Sequence, residues 1–389
     1  MAKTNKKVQE GKKKKNRKPG LPTDEEINKI CASEESTLDF LWENGVLVDY
    51  RKTDPTTRLK PKCPFCKTGT VSVKEKGKKT WRCNNRKECP KKQWSFFYGS
   101  FFYNAQLKCN DILRLCWKQL AGVSYTSSYN LSKHASSTIT NYYAFVRQLV
   151  VEGSIMKDGD TMRQIGGVDA DGQPIKVQID EILFGKSKYN RGRVADGVWV
   201  FGGVEYIDHR VRGWFAVLVD DRKKTTLLPL IRKYIAPGSH VISDGWAAYK
   251  KIKDMKTIAF TDVHEGMYLN DDRDYEQLAL EIAMFDEQPL YAKHDMVNHS
   301  ENFVDPTTKE HTNACKGHWG GLKKQIPPKN RNRYQLEEFF VFIRWKDENW
   351  GRLWESFINL LCIVTYMEGA MEEQPVQTPQ GMGNRAQFR

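Results

Sequence analysis

Two aspartates stand where a metal-dependent chemistry would need them. In IKVQIDEILF, Asp180 lies within or at the end of an apolar run, and in HVISDGWAAY, Asp244 directly follows a second one. A lone acid there would merely end a strand. Two acids at the ends of neighbouring strands in one sheet can share a divalent cation. Their hard oxygens suit Mg2+ or Mn2+, which keep water and phosphate oxygens as further ligands. A second cluster calls for a softer ion. Cys63-Pro-Phe-Cys66 is followed after sixteen residues by Cys83 and then by Cys89, and the intervening GTVSVKEKGKKTWRC alternates as a β-hairpin does. Two thiolate pairs at the ends of a short hairpin are the geometry of a zinc ribbon, a closed tetrahedral structural site. Zinc there would supply the folding energy that so small a module lacks. With four of the nine cysteines clustered, a reducing compartment and a metal are expected rather than disulfides.

The elements that must position these residues follow from composition and periodicity. The fold class expected is multidomain: a zinc ribbon plus a helix-turn-helix, then an α/β domain with a mixed sheet flanked by helices. Residues 1–22 form a basic tail, with Lys12 to Lys15, Arg17 and Lys18 in one run. This composition predicts disorder and a nuclear-import or DNA-contacting role, hence a nuclear location. Residues 23–58 form an N-terminal helical segment, opened by the Thr23/Glu26 capping box. The ribbon spans 59–103. Residues 104–160 read as short helices arranged as a helix-turn-helix, with Lys133, His134, Ser136, Ser137 and Thr138 near the start of the last helix as candidate DNA contacts. From 161 to 370, three adjacent strands, a helix, a strand and a helix predict the mixed sheet. That domain is interrupted by an acidic, irregular insertion at about 251–292. Residues 371–389 form a disordered tail.

The net charge of +14 is spread along the chain, recurring at Lys60, Lys62, Lys76, Lys78, Lys79, Arg82, Arg86 and Lys87 around the cysteines. That spread favours a polyanionic partner, most simply nucleic acid. No window approaches the ~18 apolar residues of a membrane span, so no membrane partner is expected.

Taken together, several blocks carry a family resemblance. CPFC with the later cysteine pair, KxWSFFYGSFF, QIDEILFGKSKYNRGR, VFGGVE, VISDGWAAY, VNHSENFVDP, HTN followed by W and LKK, and EEFFVFIRW span about 60 to 350. The chain resembles transposases of the Merlin superfamily and their bacterial insertion-sequence relatives, which pair a zinc ribbon with a ribonuclease-H-like DDE domain. The resemblance implies binding of terminal inverted repeats, cleavage, and transfer of 3′-OH ends into target DNA by two-metal-ion catalysis. It also implies a homodimer or larger assembly on DNA. By position, Asp180 and Asp244 match the first two catalytic acids, and Lys186 and Arg191 fall in the basic stretch after the first. Asn298, His299, His311 and Asn313 match polar positions before the third acid, and Trp319 and Lys323 the helix after it; Lys323 joins Lys186 and Arg191 as a candidate DNA contact.

The third acid should stand at position 316, where this chain has Lys316. An ammonium is no metal ligand unless deprotonated, and its charge would repel a second Mg2+ by several kcal/mol at ~4 Å. Lys316 could instead pair with Asp180 and Asp244 in place of the ion. Rescue by Glu301, Asp305 or Glu310 would rest on loop carboxylates, which lack rigid placement. The alternative to an enzyme is therefore a non-enzymatic, transposase-derived DNA-binding protein.

Overall fold

The computed structural model describes residues 19–53, 59–74, 79–185, 197–256, 289–297, 304–306 and 308–364. Expectations for the basic run, for most of the insertion and the C-terminal tail, and for Lys76, Lys78, Lys186, Arg191, Asn298, His299 and Glu301 lie outside the described residues. The chain divides into two units, Met1–Leu149 with Trp345–Arg389, and Val150–Arg344.

In the first unit, α1 (Asp24–Ile30) and α2 (Glu34–Glu43) replace the single helical stretch that apolar spacing suggests. The break falls at Cys31–Ser33 because Ser33 adopts extended backbone and caps a new helix, its side chain accepting from the Ser36 amide. The expected Thr23/Glu26 capping box is formed. A three-stranded antiparallel sheet follows, β1 (Val71–Val73), β2 (Thr80–Cys83) and β3 (Gln93–Ser95). Then come α3 (Cys109–Leu120), α4 (Tyr125–Asn130) and α5 (Ser136–Asp158), the last crossing the unit boundary. α3 buries Ile112, Leu115, Cys116 and Leu120 on one side, as its 3.6-residue spacing requires. Beyond its end Gly122 takes φ +78°, the left-handed conformation that closes a helix without a Cβ clash.

The second unit is built on one mixed sheet. Its strands are β5 (Lys176–Phe184), β6 (Val198–Ile207), β7 (Arg210–Val219), β9 (His240–Asp244) and β10 (Lys293–Val297), in the order β10-β9-β5-β6-β7. β5, β6 and β7 are antiparallel neighbours; β9 runs parallel to both β5 and β10. Short β4 (Ile165–Gly166) and β8 (Ile235–Ala236) pair beside it. β10 was not expected: KHDMV is mostly polar, because an edge strand buries little more than its end, Val297. α6 (Lys224–Tyr234) stacks Tyr234 on Phe215 at 5.1 Å, on one face of the sheet. On the opposite face, α7 (Asn313–Gln325) places His318 4.8 Å from the Trp214 ring. The expected helix after Asp244 is a 3-10 segment, Ala247–Asp254. α8 (Leu336–Glu348) and α9 (Leu353–Ile363) complete the described chain. The α/β class with a mixed sheet and helices on both faces agrees with the expectation.

His318 is half-buried, its Nε2 atom is buried with no hydrogen-bond partner among the described residues, and desolvation lowers its pKa to about 4. A neutral imidazole in the fold and a free one in the unfolded chain mean that stability is intact above pH ~6.5 and is lost as pH falls toward 4. From this residue the loss should be on the order of 3 kcal/mol. Denaturant unfolding at pH 7 and 4.5 checks it: His318→Leu should gain on the unmodified chain as pH falls, and a pH-independent difference would refute the assignment.

Candidate active site and cysteine cluster

The two aspartates come together because a ladder stops. β5 and β9 pair only as far as Gln178↔Ile242. Beyond that point the ladder hydrogen bonds end, and Asp180 and Asp244 follow on the two strands. Asp180 is 8% exposed and Asp244 half-buried. Asp180 shares the α7 face with its cross-strand partner Gly202. A Cβ on Gly202 would lie 2.5 Å from Cη2 of Trp319 and 2.3 Å from the Phe215 carbonyl oxygen. Only glycine lets Trp319, 1% exposed, reach the sheet.

A side chain from the sheet fixes the start of α7. Thr312, at the N-cap, makes no side-chain cap. Instead the buried Gln178 accepts from the amides of Ala314 at 3.0 Å and Cys315 at 3.2 Å through Oε1. Its Nε2 lies 3.4 Å from Nδ1 of His311. Two otherwise unmet helix amides are thereby satisfied by the strand that carries Asp180.

Lys316 is consequently brought to this pocket, and its charge pulls the Asp180 pKa down. The expected ion-mimicking pair is corrected, however. Lys316 is exposed, and among the described residues it closes no ion pair with Asp180 or Asp244, because an ammonium gains more from water than from a half-dry site. Burial and the neighbouring Asp244 win, holding Asp180 up at about 6. The acids considered as replacements are engaged elsewhere. Glu310 pairs with Lys176 at 2.6 Å, and Asp305 accepts from the Thr308 amide at 2.7 Å. Glu310 also lies near His240 and Asp295, a potential ligand group. There Asp295 already pairs with His240 at 2.8 Å and Lys293 at 2.6 Å.

The acid that sequence reasoning passed over is Glu181. Period-two alternation assigns it to the face opposite Asp180, and the groups that act on it include Tyr249 and Arg222. Yet Asp180, Glu181 and Asp244 offer oxygens that all lie within 4.8 Å of one another. Burial raises Glu181 to about 7, opposed by Tyr249 and reinforced by Asp244 and Asp180. The adjacent DE pair was the available signal. Next to it the Arg222 guanidinium sits between the rings of Trp199 at 4.3 Å and Trp246 at 4.5 Å. The Trp246 amide donates to Asp244 Oδ1 at 3.0 Å, fixing that carboxylate.

Among the other expected site residues, Lys323 is half-buried with Nζ 5.3 Å from the Phe184 ring, at the far end of β5. In the first unit, Ser136 and Ser137 are exposed at the start of α5 and Thr138 half-buried. Lys133 and His134 precede that helix, with Asp111 3.8 Å and 3.6 Å away.

The four cysteines also converge. Cys63 and Cys89 Sγ atoms lie 3.6 Å apart, and those of Cys66 and Cys83 3.7 Å. Four thiolates at ~2.3 Å from one tetrahedral ion would be ~3.8 Å apart, so the cluster could hold zinc. The Gly69 amide donates to Cys66 Sγ at 3.3 Å and lowers that thiol to about 6. A Cβ on Gly69 would stand 2.4 Å from Cys83 Sγ. Trp42 and Tyr50, from the segment before the cysteines, pack edge-on or tilted against Trp81, Trp94 and Phe96 in and beside the three-stranded sheet.

Comparison with known families places part of the second unit in a recognisable domain. Residues 165–279 match the ISXO2-like transposase domain. The match supports a DDE transposase family, a class of nucleases and strand transferases acting on DNA. This transposase-like stretch contains Asp180, Glu181 and Asp244 and ends before α7, so it does not reach Lys316. No curated protein matches the chain. Among the described residues no helix is long and apolar enough to cross a membrane.

Proposed function

We propose that this chain is a Merlin-like transposase that binds terminal inverted repeats and processes them through a ribonuclease-H-like domain, with Lys316 at the third acidic position depressing its catalysis. The observation that carries this reading is the position of Asp180 and Asp244 beyond the last rung between two parallel central strands, with Lys316 on α7 near enough for its charge to act on Asp180. Three antiparallel strands followed by two parallel ones support a ribonuclease-H-like sheet. The residues fit a hard divalent ion, since buried carboxylates face one another and Glu181 Oε1 is buried without a partner. Asp180 and Asp244 would hold it, and when bound it would activate the attacking oxygen and stabilise the leaving one on the DNA phosphate. Gln178 keeps α7 against the site, and Trp246 keeps the Asp244 carboxylate in place. The cysteine cluster would hold a structural zinc and present a basic surface to DNA, with the helices around Ser136 as the DNA-reading element. A transposase-derived binding protein without catalysis is the second reading, favoured by Lys316 alone, which is exposed and unpaired among the described residues.

Strand cleavage and transfer on inverted-repeat DNA with Mn2+ tests this. Lys316→Glu should cut at least roughly 100-fold faster than the unmodified chain, because a repulsive charge becomes a ligand. If neither form cuts and Asp180→Asn leaves Mn2+ affinity unchanged, the reading fails.

A further inference from the structure

With an ammonium at 316, two acids remain of the family's three, yet the pocket holds three carboxylates. We propose that Glu181 supplies the missing ligand in this chain, so that one divalent ion is held by Asp180, Glu181 and Asp244 without any acid at position 316. This rests on the reading of Asp180 and Asp244 as a metal-binding pair.

Three observations carry it. First, the three groups converge from two strands although neighbours on a strand point apart. Their oxygens, all within 4.8 Å of one another, are close to the ~3.0 to 4.2 Å separations of ligands at ~2.1 Å around an octahedral ion. Second, Glu181 Oε1 is buried and has no hydrogen-bond partner, an arrangement that costs stability unless a cation satisfies it. Third, Tyr249 is fully buried and faces Glu181, Asp244 and Asp180, yet its hydroxyl has no well-formed hydrogen bond. On the other side Trp319, 1% exposed, bears on Asp180 through its indole N–H without forming a well-shaped hydrogen bond. Buried donors thus turn toward the three acids without completing good hydrogen bonds to them, which leaves the carboxylate oxygens under-satisfied. Arg222 is the nearby cation that weighs on Glu181, and the stacking of its guanidinium between Trp199 and Trp246 holds it there. Lys316 lies toward Asp180 and is absent from the charges that act on Glu181.

The test is Mn2+ binding to the full chain without DNA, by titration calorimetry and by the loss of free-ion paramagnetic resonance. The unmodified chain should bind one Mn2+ in the second unit. Glu181→Gln should weaken it roughly tenfold or more, whereas Glu310→Gln, in the lysine-paired cluster, should leave it unchanged. The amide removes a buried, uncompensated charge, so folding should survive, and thermal unfolding without metal checks this. In Lys316→Glu, where the helix acid is restored, Glu181→Gln should cost less than about threefold. Equal losses in both backgrounds would show that Glu181 does not stand in for position 316. If Asp180→Asn and Asp244→Asn weaken binding and Glu181→Gln does not, this inference is wrong and the aspartate pair stands. If none of the three weakens it, the metal-site reading itself is lost.

Discussion

Chelation of the ion proposed for Cys63, Cys66, Cys83 and Cys89 should unfold the three-stranded sheet and release Trp42 and Tyr50 from it. The strands here are three or four residues long, too short to be stable by pairing alone. Their core is an aromatic cluster of Trp81, Trp94 and neighbours wrapped around the four sulfurs. Structural zinc contributes roughly 10 kcal/mol or more at neutral pH in comparable small sites, far above what such a core supplies. Tryptophan fluorescence and near-ultraviolet dichroism should therefore change on adding a strong chelator, and metal analysis should return one zinc per chain. Gly69→Ala should act like Cys63→Ser, since its methyl group would occupy the space of the Cys83 sulfur. Retention of a full equivalent of zinc by Cys63→Ser would exclude four-cysteine ligation.

Gly202→Ala should be among the most damaging single methyls in the second unit. The new Cβ would meet the Phe215 carbonyl oxygen at 2.3 Å, the Trp319 ring at 2.5 Å and Ala216 Cα at 3.1 Å. Two of these are backbone in the middle of the β6–β7 ladder and cannot move without breaking rungs. Overpacking of this kind costs about 3 kcal/mol, which for a unit of this size lowers Tm by on the order of 10 °C. Because the clash pushes Trp319 away from the sheet, α7 should shift as well, and Mn2+ affinity should fall although no carboxylate is altered. Thermal unfolding together with calorimetry would show both effects. A change in Tm below about 2 °C would mean that Trp319 does not press on the strand.

Much of this was legible in the sequence because local rules govern it. The Thr23/Glu26 capping box, the left-handed Gly122 and the amphipathic face of α3 each depend on residues within one or two turns. Strands β5, β6 and β7 were readable as β-branched and aromatic runs, since a sheet packed by helices on both faces needs apolar residues throughout. The two aspartates and four cysteines announced themselves by position and spacing. β10 escaped because an edge strand that buries little but Val297 carries no apolar run, and the first helix was split by a cap that only Ser33 backbone geometry reveals.

The candidate site divides along the same line. Sequence alone determined which residue types are present: two acids in or after apolar runs, a lysine on a later helix, and cysteines in two spaced pairs. Only the tertiary structure decided what those residues do to one another. It ended the β5–β9 ladder after Gln178, so that Glu181 could join acids on the other side of its strand. It used Gln178 to cap α7 across 136 residues of chain, and it left Lys316 in solvent rather than between the aspartates. Alternation and spacing describe a chain in its own neighbourhood, whereas the splaying of two strands and the hydration of an ammonium depend on residues far apart in sequence.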